Sequence, residues 1–181
     1  ALAANAELKL PAIIGDNMVL QQKQENPIWG WDTPGTEVTV TFGSQTKKAK
    51  ADDKGKWTVK LDALPANATP VTMSFKGTTS AEAKNVLVGE VWLCSGQSNM
   101  EKPIGLHPGQ APCLNWEQEI ATANYPEIRL MEVPPARAPL PRDEFDGRWL
   151  VCSPEAVQVK RGGGHGYSAL LYFFGRELHR D

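Results

Sequence analysis

The chain has 181 residues, of which 41% are hydrophobic and 22% charged, so it can bury a core and is not a disordered tail. Nineteen Lys and Arg face 21 Asp and Glu, a net charge of −2 that gives no electrostatic ground for binding nucleic acid or an anionic membrane surface. The longest apolar run, Ala169 to Phe174, falls far short of the roughly 20 residues that cross a bilayer, and a globular chain is expected.

At the start, Ala1-Leu2-Ala3-Ala4-Asn5-Ala6 has neither a charged n-region nor an apolar h-region. It reads as the small-residue remnant of a processed export signal, or as an artificial start. The first reading implies an extracytoplasmic location: periplasmic, secreted or lysosomal. Residues 8 to about 88 read as an all-β module. Val38, Val40 and Phe42 alternate with Thr39 and Thr41, Trp57, Val59 and Leu61 with Thr58 and Lys60, and Val71, Met73 and Phe75 repeat the pattern. Period two with one apolar face marks half-buried antiparallel strands. Turn signals separate them at Asn26-Pro27, Thr33-Pro34-Gly35, Gly43-Ser44, Asp53-Lys54-Gly55, Pro65-Ala66-Asn67 and Lys76-Gly77. A small sandwich or barrel is expected.

The pattern changes near Val86. Val86-Leu87-Val88-Gly89-Glu90-Val91-Trp92-Leu93-Cys94 is almost continuously apolar, as for strands covered on both faces. A small polar turn follows, then a helix over Asn115–Ala123 and a strand over Glu127–Val133. Residues 134–149 read as a loop rich in Pro and charge. Glycines 162, 163, 164 and 166 precede a second helix, with Tyr167, Leu170, Leu171, Phe174 and Leu178 on one predicted stripe. Strand, loop, helix, strand, loop, helix is the start of an α/β alternation, and its apolar helix face needs a sheet to cover. The expected organisation is a β-sandwich accessory domain over residues 1–88, then an incomplete α/β domain over 89–181.

The stretch that carries chemistry is Gly89-Glu90-Val91-Trp92-Leu93-Cys94-Ser95-Gly96-Gln97-Ser98-Asn99-Met100. A serine just past a buried strand, with Gly two residues before it, is placed as a nucleophile is placed. Its backbone N–H can serve as an oxyanion donor. Spacing alone also fits an ordinary turn serine. Elsewhere, Cys94, Cys113 and Cys152 fit neither a disulfide framework nor a structural zinc site, and Cys113–Cys152 is the one pairing worth entertaining. Gly162-Gly163-Gly164-His165-Gly166 fits no phosphate-loop pattern. The acidic pairs Asp52-Asp53 and Asp143-Glu144 read as solvated. Trp29, Trp31 and Trp57 suit core packing better than a sugar-stacking platform.

The twelve-residue block closely resembles the hallmark of the sialate O-acetylesterase family, within the SGNH/GDSL hydrolase superfamily. Asp16-Asn17-Met18-Val19-Leu20-Gln21-Gln22, Ile28-Trp29-Gly30-Trp31 with Thr33-Pro34-Gly35, and Gly55-Lys56-Trp57 resemble that family's N-terminal β-domain. Ala123-Asn124-Tyr125-Pro126-Glu127-Ile128-Arg129-Leu130, and Tyr167-Ser168-Ala169 through Gly175-Arg176-Glu177-Leu178, resemble the early part of its hydrolase domain. The resemblance implies a flavodoxin-like SGNH domain with a parallel sheet after the β-domain. It implies a serine esterase that removes O-acetyl groups from sialic acid without metal or organic cofactor. Ser98 is then the nucleophile, and Gly96, Gln97 and Asn99 flank it as turn-orienting, substrate-binding or oxyanion-associated residues. The family's catalytic His, its acidic partner and a further oxyanion Asn belong to motifs downstream of the last helix here. The expectation is therefore an N-terminal portion, either truncated or accompanied by a second chain. His107, His165 and His179 suit solvated or helix-end roles better than catalysis; His179 lies near a helix C-terminus, where cations are favoured. An acetyl ester on another polysaccharide such as xylan is the alternative substrate. An inactive fragment with a carbohydrate-binding or structural β-module is the alternative class.

Overall fold

Alternation of apolar and polar residues makes the strands of the β-rich part of the chain. Val38, Val40 and Phe42 are buried on one face of β3 (Glu37–Phe42), as are Trp57, Val59 and Leu61 on β5 (Lys56–Leu61). The computed structural model describes residues 7–134, 136–158 and 166–180, and the chain falls into two compact units. One comprises Ala1–Val91 with Arg142–Arg148, the other Trp92–Pro141 with Trp149–Asp181. The export-signal reading of residues 1–6, and His165 with the glycines at 162–164, lie outside the described residues.

The first unit also holds β1 (Val19–Gln21), β2 (Asn26–Trp31), β4 (Gln45–Lys50), β6 (Asn67–Lys76) and β7 (Ser80–Gly89). Five strands form a curled mixed sheet in the order β1-β7-β6-β3-β4, with β1 and β7 parallel and the other pairs antiparallel. β2 and β5 form a separate antiparallel pair. Trp57 of that pair meets Phe75 of β6 with ring centroids 6.3 Å apart, so the core lies between the two sheets. Trp57 is a core residue, whereas Trp29 and Trp31 are half-buried and alternate with the buried Ile28 and Gly30 along β2.

Two strands begin where the sequence suggests otherwise. β4 (Gln-Thr-Lys-Lys-Ala-Lys) has no apolar face, because it is an edge strand whose lysines discourage further pairing. β6 starts at Asn67, inside the expected turn; the β6–β7 register shifts between Asn67 and Val71, around Pro70, which cannot donate to a ladder.

A buried carboxylate ties the sheets' ends together. Asp32 is 1% exposed. Its Oδ1 accepts the Thr33 N–H at 2.7 Å and the Thr78 hydroxyl at 2.6 Å, and its Oδ2 accepts the Thr78 N–H at 2.9 Å. Gly77 leaves room for it, since a Cβ there would overlap the carboxylate. The N-terminal motif residues also have structural roles. Asp16 Oδ1 accepts the Lys84 N–H at 2.7 Å, Asn85 donates to Asn17 at 2.6 Å, and Gln21 Oε1 accepts the Val91 N–H at 2.7 Å. Gln22 donates to the Glu90 carboxylate. These bonds bracket β7 and the chain that leaves it.

Asp143 and Glu144 are exposed yet paired. Asp143 lies 3.2 Å from Lys56 and Glu144 2.6 Å from Lys9, along the segment 142–148 that belongs to the first unit. Asp52 Oδ1 accepts the N–H groups of Lys54 and Lys56 and so shapes its turn.

The second unit contains α1 (Ser98–Glu101), α2 (Trp116–Ala121), β8 (Tyr125–Leu130), β9 (Leu150–Cys152) and α3 (Ala169–Arg180). β8 and β9 pair antiparallel, and no parallel strand pair occurs in this unit among the described residues. Ile104, Ile120, Leu130, Cys152, Val157 and Tyr172 form the heart of its core.

α3 packs through a different face from the one its apolar stripe suggests. Ala169 and Tyr172 are buried, Phe173 packs against that core, and Arg176 is only 14% exposed. Leu170, Phe174 and Leu178 are 51%, 41% and 45% exposed. The physical reason is a polar anchor the stripe ignores. Arg176 pairs with Glu119 of α2, and its guanidinium lies 4.9 Å from the Phe173 ring and 5.5 Å from that of Tyr172.

The Cys113–Cys152 pairing is not formed. All three thiols are free, because Cys113 and Cys152 face different carbonyls, those of Pro103 at 3.9 Å and Ala123 at 3.8 Å. Burial pushes the Cys152 thiol up to about 11 and raises the Tyr167 hydroxyl well above its usual range, with Cys94, Cys152 and Glu132 adding to the latter. Both groups stay protonated in the folded state at pH values where the unfolded chain ionises. Stability is therefore expected to fall as pH rises from about 9 toward 11, measured by denaturant titration at successive pH values. A thiol reagent at pH 8 is expected to label Cys94 and Cys113 well before Cys152.

Candidate active site

After Gly89 the chain stops being strand, which corrects the reading of 86–94 as one doubly covered run. Val86, Leu87 and Val88 are buried in β7. Val91, Trp92 and Leu93 are 40%, 58% and 93% exposed, and among the described residues no strand pairs with them. Burial on both faces needs neighbours on both sides. Trp92 instead rests edge-to-face on Phe174, with centroids 5.2 Å apart at 85°.

Ser98 is the first residue of α1, a single helical turn. The Gln97 carbonyl accepts the N–H groups of Met100 at 2.8 Å and Glu101 at 3.2 Å, and the Ser98 carbonyl accepts that of Lys102 at 3.1 Å. The N–H groups at the start of such a turn have no partner within the helix, so those of Ser98 and Asn99 are available to a ligand oxygen. Gln97 stands at the N-cap, and its side chain makes no capping bond. Gly96, Gln97, Ser98 and Asn99 are all exposed, whereas Met100 is half-buried. The turn thus brings the four predicted site residues onto one exposed stretch of backbone.

The far end of the turn is anchored. The Lys102 carbonyl accepts the Ala169 N–H at 2.8 Å, and Pro103 forms an isolated bridge with Ser168. Ser168 also starts α3, its Oγ accepting the Leu171 N–H at 3.5 Å. Near the first end, Met100 fills the space beside the Gly96 α-carbon, where any Cβ would overlap the methionine's Cγ.

His107 Nδ1 lies 2.7 Å from the Pro108 carbonyl. His179 sits in the last turn of α3 and stacks edge-to-face on Tyr125, centroids 6.1 Å apart, in keeping with a helix-end role. Among the described residues no group of three or more His, Cys, Asp or Glu is arranged to hold a metal ion. In the sequence Met100 stands only as the last residue of the twelve-residue block, with no role of its own.

The turn and its flanks have counterparts in known proteins. The chain is 31% identical to the human protein named sialate O-acetylesterase over 98% of its own length and 35% of the human protein's. The mouse protein of that name gives 31% identity over 98% of this chain and 34% of the relative. The chain is a homologue of the N-terminal part of the sialate O-acetylesterases. It spans about a third of the length of these relatives. The solved structure of a carbohydrate acetylesterase from Xanthomonas citri superposes with a TM-score of 0.83 and 31% identity, covering 96% of this chain and 37% of that one. No family profile matches the chain. The sialate O-acetylesterase alignment takes in the β-rich unit as well as the turn that bears Ser98.

Proposed function

We propose that this chain carries the nucleophile of a carbohydrate O-acetylesterase that removes acetyl groups from sialic acid, and that Ser98 is that nucleophile. The observation that carries the reading is similarity over nearly the whole chain to proteins named for this activity, at 31% identity. The chemistry is acyl transfer. Ser98 Oγ attacks the acetyl carbonyl while its proton passes to a general base. The ester C–O bond then breaks, and the sugar oxygen leaves with that proton. Water, activated by the same base, cleaves the acetyl-enzyme to acetate and restores the Ser98 hydroxyl. The N–H groups of Ser98 and Asn99 suit the oxyanion, with Gly96 leaving room for the Met100 side chain and Gln97 turning the chain.

A serine hydroxyl needs that base; His107 Nδ1 meets the Pro108 carbonyl, and His179 meets the Tyr125 ring. In this reading the base and its acidic partner come from hydrolase-domain sequence other than this segment, in the same polypeptide or in a second chain. The same sequence supplies the parallel sheet of an SGNH-type α/β domain, which covers the exposed Leu170, Phe174 and Leu178 face of α3.

The test is acetate release by the full-length protein from O-acetylated sialic acid and from acetylated xylan, side by side. A rate on the sialate about tenfold or more above that on xylan is expected. Preference for xylan would move the reading to a polysaccharide esterase, and no acetate from either would contradict it.

A further inference from the structure

We propose that Met100 is the positioning residue for Ser98, acting through Gly96; the role rests on reading Ser98 as the nucleophile. The turn that bears Ser98 is held unevenly. Its C-terminal end is fixed by the Lys102–Ala169 hydrogen bond and the Pro103–Ser168 bridge. Its N-terminal end has no side-chain cap, and Gly96, Gln97, Ser98 and Asn99 are exposed. Met100 is the half-buried side chain of the turn, and it occupies the volume a Cβ on Gly96 would need. An unbranched thioether suits so irregular a gap. Packing of Met100 on the Gly96 α-carbon thus fixes the backbone leading into Ser98, and with it the directions of Oγ and of the Ser98 and Asn99 N–H groups. A nucleophile misplaced by about 1 Å loses on the order of 100-fold in rate, so this contact governs kcat rather than substrate affinity.

The test uses the full-length protein with Met100→Ala, Met100→Leu, Gly96→Ala and the double variant Gly96→Ala/Met100→Ala. Acetyl-ester kinetics and hydrogen exchange of the Met100, Glu101 and Lys102 amides are read together. Met100→Ala is expected to lower kcat on the order of 100-fold with KM little changed. It should speed exchange of the three amides about tenfold while the amides of β3 and β5 keep their protection. Gly96→Ala alone is expected to lower kcat as well, because its methyl displaces the methionine. The double variant should be more active than Gly96→Ala alone, since the new methyl enters the vacated space, and Met100→Leu should recover most of the loss. A merely structural methionine would speed exchange of these amides while kcat stayed at the wild-type value, and that result would overturn the positioning role. Wild-type kcat and exchange in Met100→Ala, alongside an inactive Ser98→Ala, would overturn the positioning role and leave the esterase reading standing. An inactive wild type would remove the esterase reading and with it the role assigned to Met100, whatever the exchange data show of the packing.

Discussion

Ser98→Ala is expected to lower acetate release by the full-length protein roughly 10⁴-fold or more, with the fold intact. The size follows from the mechanism: without Oγ no acetyl-enzyme forms, and only binding and oxyanion stabilisation remain. The variant should be structurally quiet, since Ser98 is exposed and the turn is held by the Gln97 and Ser98 carbonyls rather than by the hydroxyl. Thermal unfolding of the two proteins should therefore coincide while their rates differ by orders of magnitude. A variant that keeps a tenth of wild-type turnover would remove Ser98 from the chemistry.

The largest effect on stability is expected at Asp32, far from the turn in sequence. Its two oxygens accept three hydrogen bonds, two from backbone N–H groups and one from the Thr78 hydroxyl, at 1% exposure. Asp32→Ala takes the acceptor from these donors and opens a void between the end of β2 and the turn joining β6 to β7. Hydrogen bonds to a charged acceptor and the void left by the buried side chain together put the loss at about 2–3 kcal/mol. Asp32→Asn is expected to cost nearly as much despite its matching shape, since the amide NH₂ must face a donor at whichever oxygen it replaces. Denaturant unfolding of both variants checks this, and an Asn variant as stable as wild type would mean the site is a loose polar pocket. Ser98→Ala and Asp32→Asn separate chemistry from architecture: the first removes rate without stability, the second the reverse.

The sequence was most legible where a strand had one apolar face. Val38-Val40-Phe42 and Trp57-Val59-Leu61 announce β3 and β5 because alternation and burial coincide there. β4 escaped because an edge strand needs no apolar face, and the start of β6 because Pro65-Ala66-Asn67 reads as a turn although Asn67 already pairs with Val88. The apolar stripe of α3 marked a face other than the one anchored by Arg176, and Leu170, Phe174 and Leu178 stay 41–51% exposed, with Trp92 against Phe174. Apolar periodicity locates a face that water disfavours; it does not say which neighbour is present to cover it. The turn around Ser98 was legible as a motif, but Met100 was not, since its task depends on a Cβ that Gly96 lacks. The N-terminal motif residues Asp16, Asn17, Gln21 and Gln22 were legible as a pattern, and their bonds to Lys84, Asn85, Val91 and Glu90 give them architectural roles.

The most direct test of the account is to catch the acetyl-enzyme. The full-length protein is mixed with an acetyl ester, quenched in acid within the first turnovers, digested, and its peptides weighed. The account predicts one acetyl group on the peptide containing Ser98, absent from Ser98→Ala. Acetyl on another residue, with Ser98→Ala turning over undiminished, would contradict it.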